Sequence, residues 1–308
     1  MYRNLAYIPN QRVMRLYTWD EDGVRIETDC PYQPYFYYET NSTRYDATSL
    51  YGTKLRRVTA NSELDRRKKI EDLNDPKIYE NISPYQQFLV DRFWETNEST
   101  DFSKFPLKIW FFDIETYSPD EFPKPEEASH MINVITVYDT VKETYYTWGI
   151  NAYKPKTEDV IYFHCKNETD LLQRFLDFYC EDRPDILSGW NSEIFDIPYV
   201  INRVRNILGE DATRLFSPVH DEIMKPIYQR VYRGNFGNQT TKYVVEGISM
   251  LDYLDVYKTF SMGMRDSYKL DNIAHVELGE NKVDIGETNL ATLSIEDWDK
   301  FVDYNIHD

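Results

Sequence analysis

The chain has 308 residues, 41% of them hydrophobic and 16% aromatic, which is enough for about two globular domains with their own cores. Its net charge of −18 excludes a protein that coats nucleic acid by bulk electrostatics, and no apolar run approaches the roughly 18 to 20 residues that span a bilayer. The opening residues lack a signal-peptide pattern and the three cysteines lack metal-site spacing, so we expect a cytoplasmic chain with reduced thiols.

The first hundred residues are rich in tyrosine and β-branched residues, with turn-forming residues between the strand-like runs. This composition predicts a small mixed domain with much strand. Asp22 and Gly23 indicate a hairpin turn, and the polar stretch 96–106 indicates the end of the domain. Residues 54–69 carry seven lysines and arginines. This basic stretch is either the solvated face of a helix or a contact for nucleic acid, and the sequence leaves both interpretations open.

From residue 107 the hydrophobic periodicity changes, and it predicts strands, helices and a hairpin. The predicted strands are 107–116, 132–139, 143–150 and 185–190, the helices are 168–180 and 197–209, and the hairpin is 229–247. The first three strands are expected to form an antiparallel meander, followed by a strand, helix, strand crossover. We therefore predict an α/β fold: a ribonuclease H-like domain with a mixed sheet flanked by helices, preceded by a smaller, strand-rich mixed domain.

Two carboxylates stand within the apolar run at residues 110–114 and directly after it. Because alternate side chains of a strand point to one face, Asp113 and Glu115 should share a face. Neighbouring carboxylates repel each other, and burying one without a partner costs several kcal/mol. Either a Lys or Arg side chain or a metal ion must therefore compensate them.

Three more residues are candidates for the same chemistry. Asp196 opens a predicted helix, and Tyr304 and Asp308 are four residues apart and share a face of the last helix, whose start is predicted at the pair Ser294 and Asp297. A phenol one turn before a carboxylate could orient a water molecule that attacks phosphorus while the carboxylate holds a cation. Each candidate has an ordinary alternative: Asp196 as a helix N-cap, and the other two as surface residues.

Together, the segments FDIET, NSEIFDIPY and YNIHD resemble, in order and spacing, the three exonuclease motifs of family B DNA polymerases, of the DEDD group with tyrosine in the third motif. The sequence around these motifs is most similar to replicative polymerases of T-even-like bacteriophages. The resemblance covers nearly the whole chain. It implies an amino-terminal domain at residues 1–105. It also implies a 3′–5′ exonuclease domain at residues 106–308 that lacks its carboxy-terminal end.

The resemblance further implies a site for two divalent cations, Mg²⁺ or Mn²⁺, because its matched ligands are all oxygen donors. Asp113 would bridge both cations. Glu115 and Asp308 would complete the first cation, and Asp196 would serve the second. Tyr304 would position the nucleophilic water.

By the same resemblance, the substrate is the single-stranded 3′ end of primer DNA that has frayed from its template. Phe122 lies in a predicted loop that contains several prolines. Its ring either stacks on a base of the substrate or packs inward as a loop anchor. Asn191 and Phe195 match residues that line the pocket for the terminal nucleotide, although core burial is an alternative for Phe195. The hairpin at 229–247 corresponds to an element thought to help separate primer end from template, and an ordinary edge hairpin would look identical in sequence.

We therefore expect the proofreading portion of a phage replicative polymerase, acting in the cytoplasm of the infected bacterium, with primer DNA and the remainder of the polymerase as partners and no membrane contact. Nothing in the chain resembles the palm motifs of the polymerase, and His307 is assigned no role. Because Asp308 is the last residue, we expect reduced nuclease activity from the chain alone. The alternatives are a free-standing DEDD exonuclease and a non-catalytic nucleic-acid-binding module that works through residues 54–69.

Overall fold

The computed structural model describes residues 2–73, 77–80, 82–96, 106–220, 223–233, 239–286 and 288–308. The chain divides into two compact units, Met1–Asp101 and Phe102–Asp308. The residues next to the predicted domain boundary at 105 and 106 lie partly outside the described residues, so that boundary stays a prediction. In the described part of the chain, no helix is both long and apolar enough to cross a membrane.

The first unit begins with an antiparallel sheet of three strands. These strands are β1 (Asn4–Ile8), β2 (Val13–Trp19) and β3 (Arg25–Pro31), in that order. The predicted turn lies between β2 and β3, where Gly23 has the left-handed φ of 79°. The carboxylate of Asp20 closes the turn by accepting the backbone amide of Val24 (2.8 Å). The hairpin prediction is therefore confirmed.

A second sheet and two helices complete this unit. They are β4 (Tyr35–Glu39), β5 (Ala47–Thr48), β6 (Lys54–Thr59), α1 (Glu63–Leu73), β7 (Ile78–Tyr79) and α2 (Pro84–Phe93), with sheet order β5-β6-β4-β7. The basic stretch 54–69 is thus a strand followed by a helix, and its interpretation as one helical face is wrong. Strand β6 is held there by the antiparallel ladders on both its sides, which a charge count does not reveal.

The second unit is built on a six-stranded mixed sheet. Its strands are β8 (Ile109–Thr116), β9 (Ile132–Asp139), β10 (Thr144–Gly149), β11 (Val160–His164), β12 (Ile186–Gly189) and β15 (Ser249–Asp252). Their order across the sheet is β11-β10-β9-β8-β12-β15. The predicted meander β8-β9-β10 is antiparallel, whereas β12 and β15 run parallel to β8. Strand β11, which runs parallel to β10, was not predicted.

The remaining elements of this unit surround the sheet. They are α3 (Glu168–Glu181), α4 (Asp196–Leu208), α5 (Glu210–Thr213), a 3₁₀ helix (Arg214–Phe216), the hairpin strands β13 (Ile227–Arg233) and β14 (Gln239–Val245), α6 (Tyr253–Phe260), α7 (Leu270–Leu278), α8 (Leu290–Glu296) and α9 (Trp298–His307). The arms of the predicted hairpin are present, and its tip lies outside the described residues. The fold is the predicted mixed α/β arrangement: a mixed sheet flanked by helices in the second unit, and a strand-rich amino-terminal part in the first.

The start of the last helix differs from the prediction. Ser294 lies inside α8, where its hydroxyl donates to the carbonyl oxygen of Ala291 (2.8 Å). Asp297 is the N-cap of α9 instead, because its carboxylate accepts the backbone amide of Lys300 (3.1 Å). The spacing Ser294–Asp297 resembles a capping box, but the chain breaks the helix at Asp297 and begins a new one.

The two faces of the sheet are covered by different helices. On one face, β8 buries Trp110, Phe112 and Ile114 against a core that includes residues of α3 and α4. On the other face, α9 packs over β9 through Phe301 and Val302, both fully buried. Burying two such side chains contributes roughly 1.5–3 kcal/mol each, which holds the end of α9 against the sheet.

Candidate active site

Asp113 and Glu115 lie on the face of β8 that is turned away from the main core. Burial alternates strictly along the strand, so the apolar residues face the core and the two carboxylates face the α9 side. Thr136 of β9 is paired directly with Asp113. The strand therefore presents both acidic groups together, as its sequence predicts.

Asp196 approaches this strand from its other neighbour. Strand β12 pairs with β8, the chain then passes through residues 190–195, which we call the site loop, and Asp196 is the first residue of α4. The N-cap of α4 is Phe195. The backbone amides of Ile114 in β8 and of Asp196 itself offset part of the rise in the pKa of the Asp196 carboxyl. The interpretation of Asp196 as an N-cap is therefore wrong, because the N-cap position is one residue earlier and Asp196 is already inside the helix.

Helix α9 brings in the third segment. Asn305 is buried, donates to Asp113 Oδ2 (2.5 Å) and accepts the hydroxyl of Thr136 (2.5 Å). These two bonds fix the helix to the strand that carries the carboxylates. Tyr304 and Asp308 lie on either side of this contact along the helix, with only 7% of the Asp308 side chain exposed. A surface position for Asp308 is thus excluded.

All eight residues that the sequence singled out line one pocket of about 1080 Å³. They are Asp113, Glu115, Phe122, Asn191, Phe195, Asp196, Tyr304 and Asp308. Four of these side chains are carboxylates that come from three segments distant in sequence. Such convergence places several negative charges in one partly enclosed volume.

The carboxylates shift each other's acidity. The pKa of Asp113 is raised to about 7, mainly by burial and secondly by the negative charge of Asp308. Burial and the charge of Asp113 likewise raise the pKa values of Glu115 and Asp196 well above their ordinary range. These groups therefore resist ionising together, and a nearby positive charge would be stabilised among them.

Lys282 supplies one positive charge, and the sequence did not point to it. Its ammonium group donates to Asp308 Oδ2 and to the hydroxyl of Tyr304 (3.0 Å). Although burial opposes the shift, Asp308 and Tyr304 raise the pKa of Lys282. Lys282 lies between α7 and α8 without any periodic pattern, so no sequence signal connects it to Asp308.

The site loop is held by a second residue that the sequence did not assign. Asp252, 3% exposed, accepts the backbone amides of Asn191 (3.0 Å) and Glu193 (3.2 Å), and it also caps α6 through the amide of Leu254 (2.9 Å). Asn191 has the left-handed φ of 64°, a conformation that asparagine tolerates better than most residues. Asp252 therefore fixes the turn that directs Asn191 into the pocket.

Phe122 and Phe195 form the aromatic edge of the pocket. Phe122 is 76% exposed, so the loop-anchor interpretation is wrong. Its ring lies 5.5 Å from that of Phe195, at an angle of 48°. Phe195 is half-buried against the core, and its second ring neighbour is Tyr199 (5.7 Å). One ring is thus available to solvent and the other supports it.

Two observations bear on a metal ion. Among the described residues, no group of three or more His, Cys, Asp or Glu side chains is arranged so that it could hold a metal ion. Asp308 Oδ1, however, is buried and has no hydrogen-bond partner, while Oδ2 faces Lys282. One lysine cannot neutralise four carboxylates, and the donors are all oxygen. Oxygen donors suit a hard divalent cation, and the carboxylates would have to move closer together to hold one.

Several known proteins with similar sequences are DNA polymerases. Residues 71–273 match the exonuclease domain of DNA polymerase family B. The DNA-directed DNA polymerase of Escherichia phage RB69 is 34% identical over 227 residues, which are 66% of this chain and 24% of that protein. For the DNA-directed DNA polymerase of Enterobacteria phage T4 the identity is 30% over 221 residues, 64% of this chain and 24% of that protein.

A more distant relative, the DNA polymerase of Choristoneura fumiferana nuclear polyhedrosis virus, is 24% identical over 248 residues, 75% of this chain and 24% of that protein. The chain thus spans about a quarter of the length of these relatives. The family match includes Asp113, Glu115 and Asp196 and ends before Tyr304 and Asp308. The chain therefore belongs to DNA polymerase family B, and it carries the exonuclease-domain region of the T4-like phage polymerases.

Proposed function

We propose that the chain is the 3′–5′ proofreading exonuclease portion of a phage replicative DNA polymerase. In this proposal it hydrolyses the 3′-terminal phosphodiester of single-stranded or frayed primer DNA. The observation that carries the proposal is the meeting of four carboxylates from three distant segments in one pocket edged by exposed aromatic surface. Family membership supports the nuclease class, and the pocket residues support the finer assignment.

Two Mg²⁺ or Mn²⁺ ions would be held by the four carboxylates. Asp113 would contribute to holding both ions, Glu115 and Asp308 to holding the first, and Asp196 to holding the second. Bound ions of this kind polarise the phosphate and lower the pKa of a bound water. The unpaired buried oxygen of Asp308 and the raised pKa values of the other carboxylates support this donor set.

The protein's own groups would position the reactants. Burial raises the pKa of Tyr304, so its phenol stays neutral, and its oxygen already accepts a hydrogen bond from Lys282. The phenolic proton therefore remains available to orient the attacking water. Asn305 would keep Asp113 in place, since its amide donates to Asp113 Oδ2. Lys282 would restrain Asp308 in the same way.

The aromatic edge of the pocket would hold the nucleotide. Stacking of a base on an aromatic ring contributes about 1–3 kcal/mol and tolerates every base, which suits an enzyme that must remove any mismatched nucleotide. Phe122 presents an exposed ring for this purpose, and the ring of Phe195 packs against it. Asn191 would contact the terminal nucleotide from the site loop.

The test is nucleotide release from the 3′ end of a single-stranded oligonucleotide with Mg²⁺ or Mn²⁺. Asp113→Ala with Asp196→Ala should lower the rate at least about a hundredfold, because the charges that hold the cations and stabilise the transition state are lost. The matched control is Asp211→Ala with Asp299→Ala, which makes the same charge change at exposed positions outside the pocket. Equal rates for the two double variants would overturn the proposal.

Two alternatives are separated by the same assay. A free-standing exonuclease that acts on RNA would degrade RNA 3′ ends at a rate comparable to DNA, which a DNA-editing site should not. A non-catalytic module working through residues 54–69 would bind oligonucleotides without any dependence on divalent cations and release no nucleotides.

A further inference from the structure

The hairpin strand β14 is attached to the rest of the second unit on both of its faces. On one face Tyr243 is buried, and its hydroxyl donates to Asn202 Oδ1 in α4 (2.7 Å). On the other face, the ammonium group of Lys242 donates to Glu193 Oε2 (2.5 Å) and to Asp255 Oδ2 (2.9 Å). Strand β14 thus contacts the site loop directly through Lys242.

The two carboxylate partners of Lys242 are not equivalent. The side chains of Lys242 and Glu193 are 17% and 14% exposed, whereas that of Asp255 is 60% exposed. An ion pair between exposed groups contributes little, and a pair withdrawn from solvent is costly to break because the remaining charge stays buried. The bond to Glu193 is therefore the one that fixes the geometry.

Lys242 also depends on this partner for a second reason. It lies directly opposite Arg230 in the antiparallel register of β13 and β14. Like charges facing each other across a strand pair are destabilising. Glu193 offsets this repulsion, so the hairpin and the site loop stabilise each other.

Glu193 is held at two points. Its backbone amide donates to Asp252, and its side chain accepts from Lys242. Asn191 and Phe195 stand two residues before and two residues after it. A loop fixed in the middle at both backbone and side chain has little freedom to move the residues on either side.

We propose that Lys242 is a positioning residue of the exonuclease site: from the hairpin, acting through Glu193, it holds the site loop in the conformation that presents Asn191 and Phe195 to the terminal nucleotide. This inference rests on the proposed function. It makes the hairpin strand a structural part of the nucleotide pocket rather than a separate appendage.

The experiment compares Lys242→Met, Glu193→Gln and the double variant in the full chain, with kcat and KM measured separately on a single-stranded oligonucleotide. Each single variant should raise KM about fivefold with little change in kcat, and the double variant should be no worse than either single one because both remove the same contact. Lys242→Arg should restore KM, since a guanidinium group can still reach Glu193. If Lys242→Met folds poorly, the double variant, which leaves no unpaired carboxylate at Glu193, takes its place.

The matched control is Lys142→Met, because Lys142 also pairs with a carboxylate, Asp182, but neither member of that pair belongs to the site loop. Amide hydrogen exchange of the site loop is the second readout: it should be faster in Lys242→Met than in the wild type and unchanged in Lys142→Met. An unchanged KM and unchanged exchange in Lys242→Met would overturn the inference while leaving the nuclease assignment intact. A wild type that releases no nucleotides would instead overturn the proposed function, and the exchange measurement would then decide the inference alone.

Discussion

The acidity of Asp113 shows how strongly a single side chain depends on its surroundings. Its pKa is raised from an ordinary 3.8 to about 7 by burial and by Asp308, while Lys282 and the amide of Asn305 lower it. The sequence gives the residue and the face it occupies. The shift follows first from burial in the folded chain, and the side chains that modify it lie about 170 to 195 residues further along the sequence.

This shift predicts a dependence of stability on pH. Between about pH 4 and pH 7 the folded chain keeps a proton on Asp113 that the unfolded chain releases, so in EDTA the free energy of unfolding should fall as the pH rises through this window. Asp113→Asn removes the titrating group and should reduce the fall, which thermal melts at pH 5 and pH 8 would measure. Asp211→Asn, at an exposed position, should leave the wild-type slope unchanged.

Mn²⁺ should reverse the trend in the wild type, because ionised carboxylates bind cations more tightly. A wild-type slope equal to that of Asp113→Asn in EDTA would contradict the prediction.

Asn191 provides a residue-scale test that separates backbone conformation from side-chain chemistry. Its φ of 64° costs alanine roughly 1–2 kcal/mol but costs glycine nothing. Asn191→Ala should therefore lower the melting temperature, and Asn191→Gly should not. If the side chain contacts the nucleotide, both variants should raise KM; a normal KM in Asn191→Gly would show that only the turn matters.

At the scale of elements, the site depends on how closely β12 approaches β8. A Cβ at Gly189 would lie 2.6 Å from the carbonyl oxygen of Phe112 and 2.9 Å from Ser192 Cβ. Both obstacles are hard to move, one because it belongs to the backbone of a central strand and the other because it is in the site loop. Glycine at this position therefore allows β12 and the site loop to lie against the strand that carries Asp113.

Gly189→Ala should cost roughly 1–3 kcal/mol of stability and lower nuclease activity further than the stability loss explains, because it displaces the loop before Asp196. Gly149→Ala is the control: its Cβ would crowd Tyr162 and Trp298, so stability should fall here too, but Gly149 does not line the pocket and the loss of activity should not exceed the stability loss. Melting temperature and kcat together check the prediction. Equal effects of the two substitutions would contradict it.

At the scale of the whole molecule, every residue that lines the pocket belongs to the second unit. Residues 106–308 expressed alone should therefore bind Mn²⁺ with the affinity of the full chain, within about threefold, as measured by calorimetry. The control is the same fragment with Asp113→Ala and Asp196→Ala, which should lose the binding. A fragment that folds, as judged by circular dichroism, but binds Mn²⁺ more than tenfold weaker would contradict this prediction.

Much of this molecule was predictable because it depends on local periodicity. The alternation along β8 placed Asp113 and Glu115 on one face, and the four-residue spacing placed Tyr304 and Asp308 on the same side of the last helix, where both contact Lys282. The same local reasoning failed at Ser294, where a capping spacing lies inside a helix, and at residues 54–69, where tertiary pairing made a strand of half a basic run.

The sequence by itself determined which residue types are available to the site and, through three short motifs, which segments should meet. Only the tertiary structure decided that Lys282 pairs with Asp308, that Asp252 holds the turn at Asn191, and that Lys242 reaches Glu193. These contacts join residues 26 to 61 positions apart across loops and strand edges. No periodic signal extends over such distances, because the positions of these side chains are fixed by how whole elements pack and not by the spacing within any one of them.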